Sequence, residues 1–345
     1  MMLKLKGLAT GVGSLPHKDA GAALDLIFKY VPNIPFWPQL PRRDVREGMV
    51  AQFSENLPFL KVEPEGLRFS SLEARDRELE LFYERIIAGD TDYFKISEPF
   101  AQGLHKFYRR LEKADLKEID FIKCHITGPF TFAATLKDEQ GVSLLHDAVF
   151  LQVILKGLVM KALWQVKFFE KFGKKIIMFV DEPYLGAFGS AYTPINREDV
   201  ISGLREMASA IKQSQDLLLG VHCCGNTDWS MLTDVAGIDI VNFDAFDYLD
   251  KFTLYAKNLG VFLKKGGIIC WGIVPTQEFS GRETADLLVA KIRAGIDALV
   301  KKGLDKDLLL ERLLVSPACG LGALEPDKSE KIFKLLSEVS FSLRK

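Results

Sequence analysis

Leu217 to Asn226 read LLLGVHCCGN. The apolar run is too short for a helix and stops at a Gly-Asn turn signal, so it predicts a buried strand. Side chains alternate along a strand, which places His222 and Cys224 on one face and Cys223 on the other. An imidazole and a thiol at a strand end form a borderline-soft ligand pair that suits zinc better than magnesium or calcium. Two other segments offer partners: Cys319 in VSPACG, and Asp244 at the end of the next apolar run, DIVNFDAF.

Working outward, similar runs recur at Leu8–Ser14 (LATGVGS), Ile34–Leu40 (IPFWPQL), Phe121–Thr127 (FIKCHIT), Ile176–Asp181 (IIMFVD), Ile238–Phe243 (IDIVNF), Gly267–Gly272 (GIICWG) and Leu313–Ser316 (LLVS). With Leu217–Cys223 they make eight strand candidates. Amphipathic segments lie between them, as at Asp147–Phe172, Arg197–Gln215, Thr284–Lys302 and Asp327–Leu343, with apolar residues three and four apart. Alternating strand and helix predicts an α/β fold, and eight units predict a single (β/α)8 TIM barrel spanning residues 1–345. The irregular, charged stretch Pro41–Asp120 reads as a helical excursion after the second strand. An open doubly wound sheet is the competing fold. Against a dinucleotide site, the first strand runs into GVGSLPHKD, where Pro16 stands in place of the fingerprint's third glycine.

The formal net charge of −1 across 345 residues predicts no attraction to nucleic acid or to an anionic membrane. No stretch approaches about 20 uninterrupted apolar residues, and MMLKLKGLATGVGS lacks a signal core. The expected location is the cytoplasm. Five cysteines, an odd number, do not read as a disulfide framework. Cys124 and Cys270 lie within strands and Cys223 faces away from Cys224, so these three are expected to be structural.

In barrels the chemistry sits where strands end. Those positions are Ser14, Gln39, Thr127, Asp181 with Glu182, His222 with Cys224, Asp244, Val274 and Cys319. Each has an ordinary structural reading alone: a packed cysteine, a core histidine, an Asp-Glu-Pro loop start, a helix cap at Asp244. Their coincidence on one rim is what predicts a site. His125 is expected to pack two residues below the rim.

Taken in order and spacing, VGSLP (12–16), HITGPFTF (125–132), VDEP (180–183), HCC (222–224), NFDAF (242–246) and SPACGLG (316–322) resemble the catalytic, C-terminal half of the cobalamin-independent methionine synthases. These belong to a superfamily with uroporphyrinogen decarboxylase and the zinc methyltransferases of methanogens. The resemblance implies Zn(2+) on His222, Cys224, Asp244 and Cys319, although the family's acid is usually glutamate. It implies Asp181 and His222 as catalytic residues. It also implies a homocysteine site at Val12, Gly13, Ser14 and Asp181, with Gln52 near the place of a family glutamate. The family's histidine proton donor falls at about Val274, and a folate-contacting acid at about Ala187. A folate nitrogen leaves poorly unless protonated, so the expected methyl donor is a corrinoid, methylcobalamin or a methylated corrinoid protein docking near the excursion. Alternatives are another thiol such as coenzyme M, methyltetrahydrofolate as donor, or a decarboxylase of the porphyrinogen type. The last requires arginines near the first strand end, where the chain reads GSLPHKD.

Overall fold

The computed structural model describes residues 5–69, 75–190, 195–213 and 215–345. Its strands are β1 (Leu8–Ala9), β2 (Leu60–Glu63), β3 (Gly66–Phe69), β4 (Phe121–Thr127), β5 (Lys175–Asp181), β6 (Leu217–Cys223), β7 (Ile240–Asp244), β8 (Ile268–Val274) and β9 (Leu313–Pro317). Seven of them form one sheet in the order β1-β9-β8-β7-β6-β5-β4, and every pairing in it is parallel. Helices connect successive strands and flank the sheet, which curls into a half-barrel.

The sheet has seven strands where the sequence offered eight. Ile34–Leu40 is the one that joins no ladder, because Pro35 and Pro38 lack the N–H that regular pairing needs. It makes isolated parallel bridges instead, Phe36 to Lys123 and Ser14 to Gln39. It therefore touches both the β4 edge and the chain that follows β1. The segment between Pro41 and Asp120 also differs from a purely helical excursion. It holds helices Arg75–Ile87 and Gln102–Leu111, but β2 and β3 pair as an antiparallel hairpin within it.

Both faces of the sheet are buried, which is why β4, β6 and β8 are buried at every residue and read as nearly continuous apolar runs. One face packs on the helices. The concave face carries a separate apolar cluster that includes Phe121, Ile177, Leu218, Ile240, Ile268 and Leu314. Above this cluster, toward the strands' C-terminal ends, the same face turns polar. Register places Thr127, Asp181, His222, Asn242 and Cys270 side by side in a single row across β4 to β8.

Helix Ala148–Phe169 starts where the Asp147 carboxylate accepts from the N–H groups of Val149 and Phe150, both at 3.0 Å. With the turn that follows to Phe172 it is apolar enough to cross a membrane by composition, yet 72% of its most apolar window is buried inside the fold. It is a core helix. Two polar residues one turn apart on it, Lys161 and Gln165, are fully buried; Lys161 pins the excursion and Gln165 joins Ile34–Leu40 to β4. The Lys161 ammonium donates to the carbonyls of Glu55 at 2.7 Å and Phe94 at 3.4 Å. Gln165 accepts from Trp37 Nε1 at 2.9 Å and donates to the His125 carbonyl at 3.1 Å.

Burial pushes the Lys161 ammonium down to about 7, with the Glu55 charge pulling it back up. An unfolded chain holds that proton up to the ordinary lysine value near 10.4. Between these values the unfolded state binds more protons at this residue, so the Lys161 contribution to stability rises with pH through that window. Urea melts of the parent and of Lys161→Met at about pH 7, 8 and 9 should differ in slope, the variant lacking an upward component of up to about 1.4 kcal/mol per pH unit. A variant whose slope matches the parent would contradict a depressed Lys161.

Candidate metal centre

His222 is the penultimate residue of β6, and its row neighbours are Asp181 on β5 and Asn242 on β7. All three side chains are buried. His222 Nδ1 lies 2.6 Å from Asn242 Oδ1. The Asn242 amide nitrogen donates to the Cys270 carbonyl at 2.9 Å and to Ser316 Oγ at 3.0 Å. A carbonyl only accepts, so the amide's orientation is fixed by chemistry and its oxygen must face the imidazole. Nδ1 therefore carries the proton, and Nε2 keeps the lone pair a metal ligand needs.

Cys224 follows the strand by one residue, at a loop whose path depends on glycine. A Cβ on Gly225 would stand 2.7 Å from the Gly186 Cα, so the turns after β5 and β6 pack backbone to backbone. Cys319 comes from the loop after β9. The ligand atoms of His222, Cys224 and Cys319 all lie within 4.8 Å of one another. Ligands around tetrahedral zinc stand about 3.5–3.8 Å apart, from bond lengths near 2.0–2.3 Å. Closing that difference takes at most about 1.3 Å of relative side-chain motion for any pair. The donor set, two sulfurs and a neutral imidazole with its outer N–H held by an amide, fits zinc.

Asp244 does not join these three. Its Oδ1 accepts from the N–H groups of Phe246 and Asp247, both at 2.9 Å, so it caps the turn after β7. It also lines a small cavity of about 160 Å³ together with Cys224, Cys319, Tyr248 and Glu278. A larger cavity of about 290 Å³ shares Cys224, Cys319 and Gln277 with it. Its wall includes Val12, Ser14, Gln39, Asp181, His222 and Gln277, and among the described residues no lysine or arginine lines it.

Gly13 sits at the back of that wall, where a Cβ would come within 3.1 Å of the His125 ring. His125 stacks on Trp37 with ring centroids 3.8 Å apart, the packing role expected of it. Neither of its ring nitrogens has a partner among the described residues. Gln52 stands behind the wall: it accepts from Gln39 Nε2 at 2.7 Å and donates to the Phe100 carbonyl at 2.8 Å. Cys223 packs into the core, its sulfur 3.6 Å from the Gly225 carbonyl.

Beneath the cavity, buried Lys123 donates to the Val12 carbonyl at 2.5 Å. Burial brings its ammonium down to about 8 against the pull of Asp181. Burial likewise raises the Asp181 carboxyl to about 6, opposed by Lys123 and His222. Asp181 Oδ1 is buried without a partner among the described residues. Glu182 is raised to about 7 by burial, while Thr131 Oγ1 and the N–H groups of Phe130 and Thr131 hold it back. In the sulfur pair, the Cys224 S–H lowers the Cys319 thiol, and Cys319 in turn raises Cys224. Without a cation the two share one proton, with Cys319 as the thiolate. Burial alone would lower His222, but the Cys319 sulfur, Asp181 and Asn242 raise it.

The structure thus gathers Val12, Ser14, Asp181, His222, Cys224 and Cys319 around one cavity and leaves Gln52 one residue behind it. Asn242 and Lys123 were not assigned from sequence. Their signal was a polar side chain at an inward position of a buried strand. Compared with known proteins, the chain matches no protein-family model, and no curated protein matches it.

The Cys319 loop rests on Ser14, whose carbonyl accepts from Leu321 N at 2.9 Å and whose Oγ accepts from Gly322 N at 3.2 Å. A Cβ on Gly320 would lie 2.3 Å from that Oγ but 3.6 Å from the Ser14 Cβ. Gly320→Ala should therefore destabilise the fold by about 1–3 kcal/mol through overpacking, and Ser14→Ala should relieve most of that cost. A double-mutant cycle in urea checks this. Strict additivity would mean that the two residues do not touch.

Proposed function

We propose that the chain is a zinc-dependent thiol methyltransferase on a closed (β/α)8 barrel, in which Ile34–Leu40 fills the gap between β1 and β4. The observation that carries the reading is the convergence of His222, Cys224 and Cys319, from distant segments, beside a cavity large enough for a small thiol. Two sulfurs and one imidazole leave a tetrahedral ion a free position, as catalytic rather than structural sites do. Zn(2+) held there supplies the positive charge that keeps an incoming thiol deprotonated at neutral pH.

The protein's residues divide the remaining work. Asp181, buried with an unpartnered oxygen on the cavity wall, binds the ammonium of an amino thiol, for which L-homocysteine is the best fit. Backbone groups at Val12, Gly13 and Ser14 face its carboxylate. The thiolate sulfur attacks the methyl carbon, a C–S bond forms, and the donor departs with the electron pair of the broken bond, giving methionine. No proton donor is on hand at the place the related synthases use, since Val274 is apolar and fully buried. A corrinoid suits that site as donor, free as methylcobalamin or on a partner protein, because cob(I)alamin leaves unprotonated. Methyltetrahydrofolate does not.

Two other readings weaken on specific contacts. Coenzyme M carries a sulfonate and no amino group, and the cavity wall offers one acid and, among the described residues, no cation. Porphyrinogen acetates call for free arginines. Here Arg42 is held by the Ala323 carbonyl and Glu325, and Arg43 by Glu47. Free thiols at the centre suit the reducing cytoplasm.

Purified protein is expected to hold about one zinc per chain and to form methionine from methylcobalamin and homocysteine, with coenzyme M inert in competition. Asp181→Asn should raise the KM for homocysteine about 10- to 100-fold, the worth of a charge-assisted hydrogen bond. Metal-free protein whose His222→Ala variant is unchanged in activity would end the proposal.

A further inference from the structure

Asn242 is 2% exposed and lies at the centre of a hydrogen-bond chain that crosses four adjacent strands. It runs from His222 Nδ1 on β6 to Asn242 Oδ1 on β7, then from Asn242 Nδ2 to the Cys270 carbonyl on β8 and to Ser316 Oγ on β9. Ser316 Oγ in turn donates to the Pro317 carbonyl at 2.9 Å, two residues before Cys319. Ser316 therefore has only a lone pair to offer Asn242, which fixes the amide a second time.

We infer that Asn242 is a positioning residue, which holds His222 in the tautomer with a bare Nε2 and ties it to the strand that delivers Cys319. A free imidazole samples both tautomers, and only one of them leaves a lone pair on the nitrogen away from Asn242. Leucine in place of Asn242 keeps the branched shape at Cγ, with a larger volume, and removes the acceptor. His222 would then lose both its preferred proton position and its ring orientation. Outer hydrogen-bond partners of this kind typically change metal affinity about 10- to 100-fold when lost. The inference rests on the metal-site reading above, but its first consequence is a property of the metal-free chain.

The experiment uses the full chain, metal-free, with nitrogen-15 in its histidines, at a pH above the His222 titration midpoint read from the same spectra, so that its imidazole is neutral. Long-range proton–nitrogen spectra should show His222 as the Nδ1–H tautomer in the parent. They should show a mixture of both tautomers in Asn242→Leu, and zinc titration should give about 10- to 100-fold weaker binding for that variant. Should Asn242→Leu fail to fold by circular dichroism, Ser316→Ala decides. It keeps Asn242 but frees one of its anchors, and should give a detectable second tautomer and at least about 3-fold weaker zinc binding. A parent His222 protonated on Nε2 overturns the inference, as does a folded Asn242→Leu that keeps the parent tautomer and binds zinc within about 2-fold of the parent. If the parent takes up no zinc, the methyltransferase reading fails alone, and the tautomer spectra still decide the role of Asn242.

Discussion

The site depends on the register of parallel pairing between β5, β6 and β7, which seats Asp181, His222 and Asn242 in one row of the concave face. A slip of one residue on β6 would bring Val221 or Cys223 into the row and send His222 into the layer under the helices. Apolar alternation does not hold that register, because β6 is buried on both faces. Polar residues break the degeneracy. Asn242 finds its acceptors at Cys270 and Ser316 only when it points inward, and Lys123 finds the Val12 carbonyl only from its own inward position. Leaving such buried groups unpaired costs about 1–3 kcal/mol each. A few internal polar contacts thus specify what a wholly apolar core would leave ambiguous.

The sequence marks the strands from β4 onward to within about two residues, because parallel strands buried on both faces leave a short, apolar signature. The first two segments were harder to place. Leu8–Ser14 keeps regular pairing only at Leu8–Ala9, and Ile34–Leu40 at no point, since its prolines remove the donors. Hairpin β2–β3 gave no alternating pattern to read, because its LKVE and GLRF residues are half-exposed or fully exposed throughout. The ligands were legible for a local reason, as period two pairs His222 with Cys224. Cys319 was legible only through its place at another strand end. Asp244 shows that a carboxylate at a strand end can serve a turn as well: its Oδ1 caps two N–H groups while the residue lines a cavity with Cys224 and Cys319. Asn242 stood in a quoted motif, but its role needs Cys270 and Ser316, 28 and 74 residues away. No local pattern encodes such contacts.

Buried anchors join the excursion to this frame. Lys161 and Gln165 reach from one helix to Glu55, Phe94, Trp37 and His125, so the segment that walls the cavity is fixed to the core rather than laid over it. Ser14 plays the corresponding part at the opposite side, joining the Cys319 loop to the chain beside Gln39. The cavity's shape is consequently set by three independent attachments.

Charge supplies the remaining constraint. Asp181, Glu182 and Asp244 are all buried and all raised by that burial, and the thiolate of Cys319 adds to the raising of Asp181 and Asp244. Lys123 is the single buried ammonium among the groups that act on Asp181, and burial lowers it as well. Each further anion within about 5 Å in such surroundings adds on the order of 3 kcal/mol of repulsion at an effective dielectric near 20. In the isolated protein that repulsion shows as the upward displacement of all three acids, which hold their protons to higher pH than free carboxyls do. A divalent cation at the sulfurs and an ammonium at Asp181 would relieve it by neutralisation, releasing the protons. The same arrangement is therefore a poor site for an anionic ligand and a strong one for two cationic groups held one cavity's width apart.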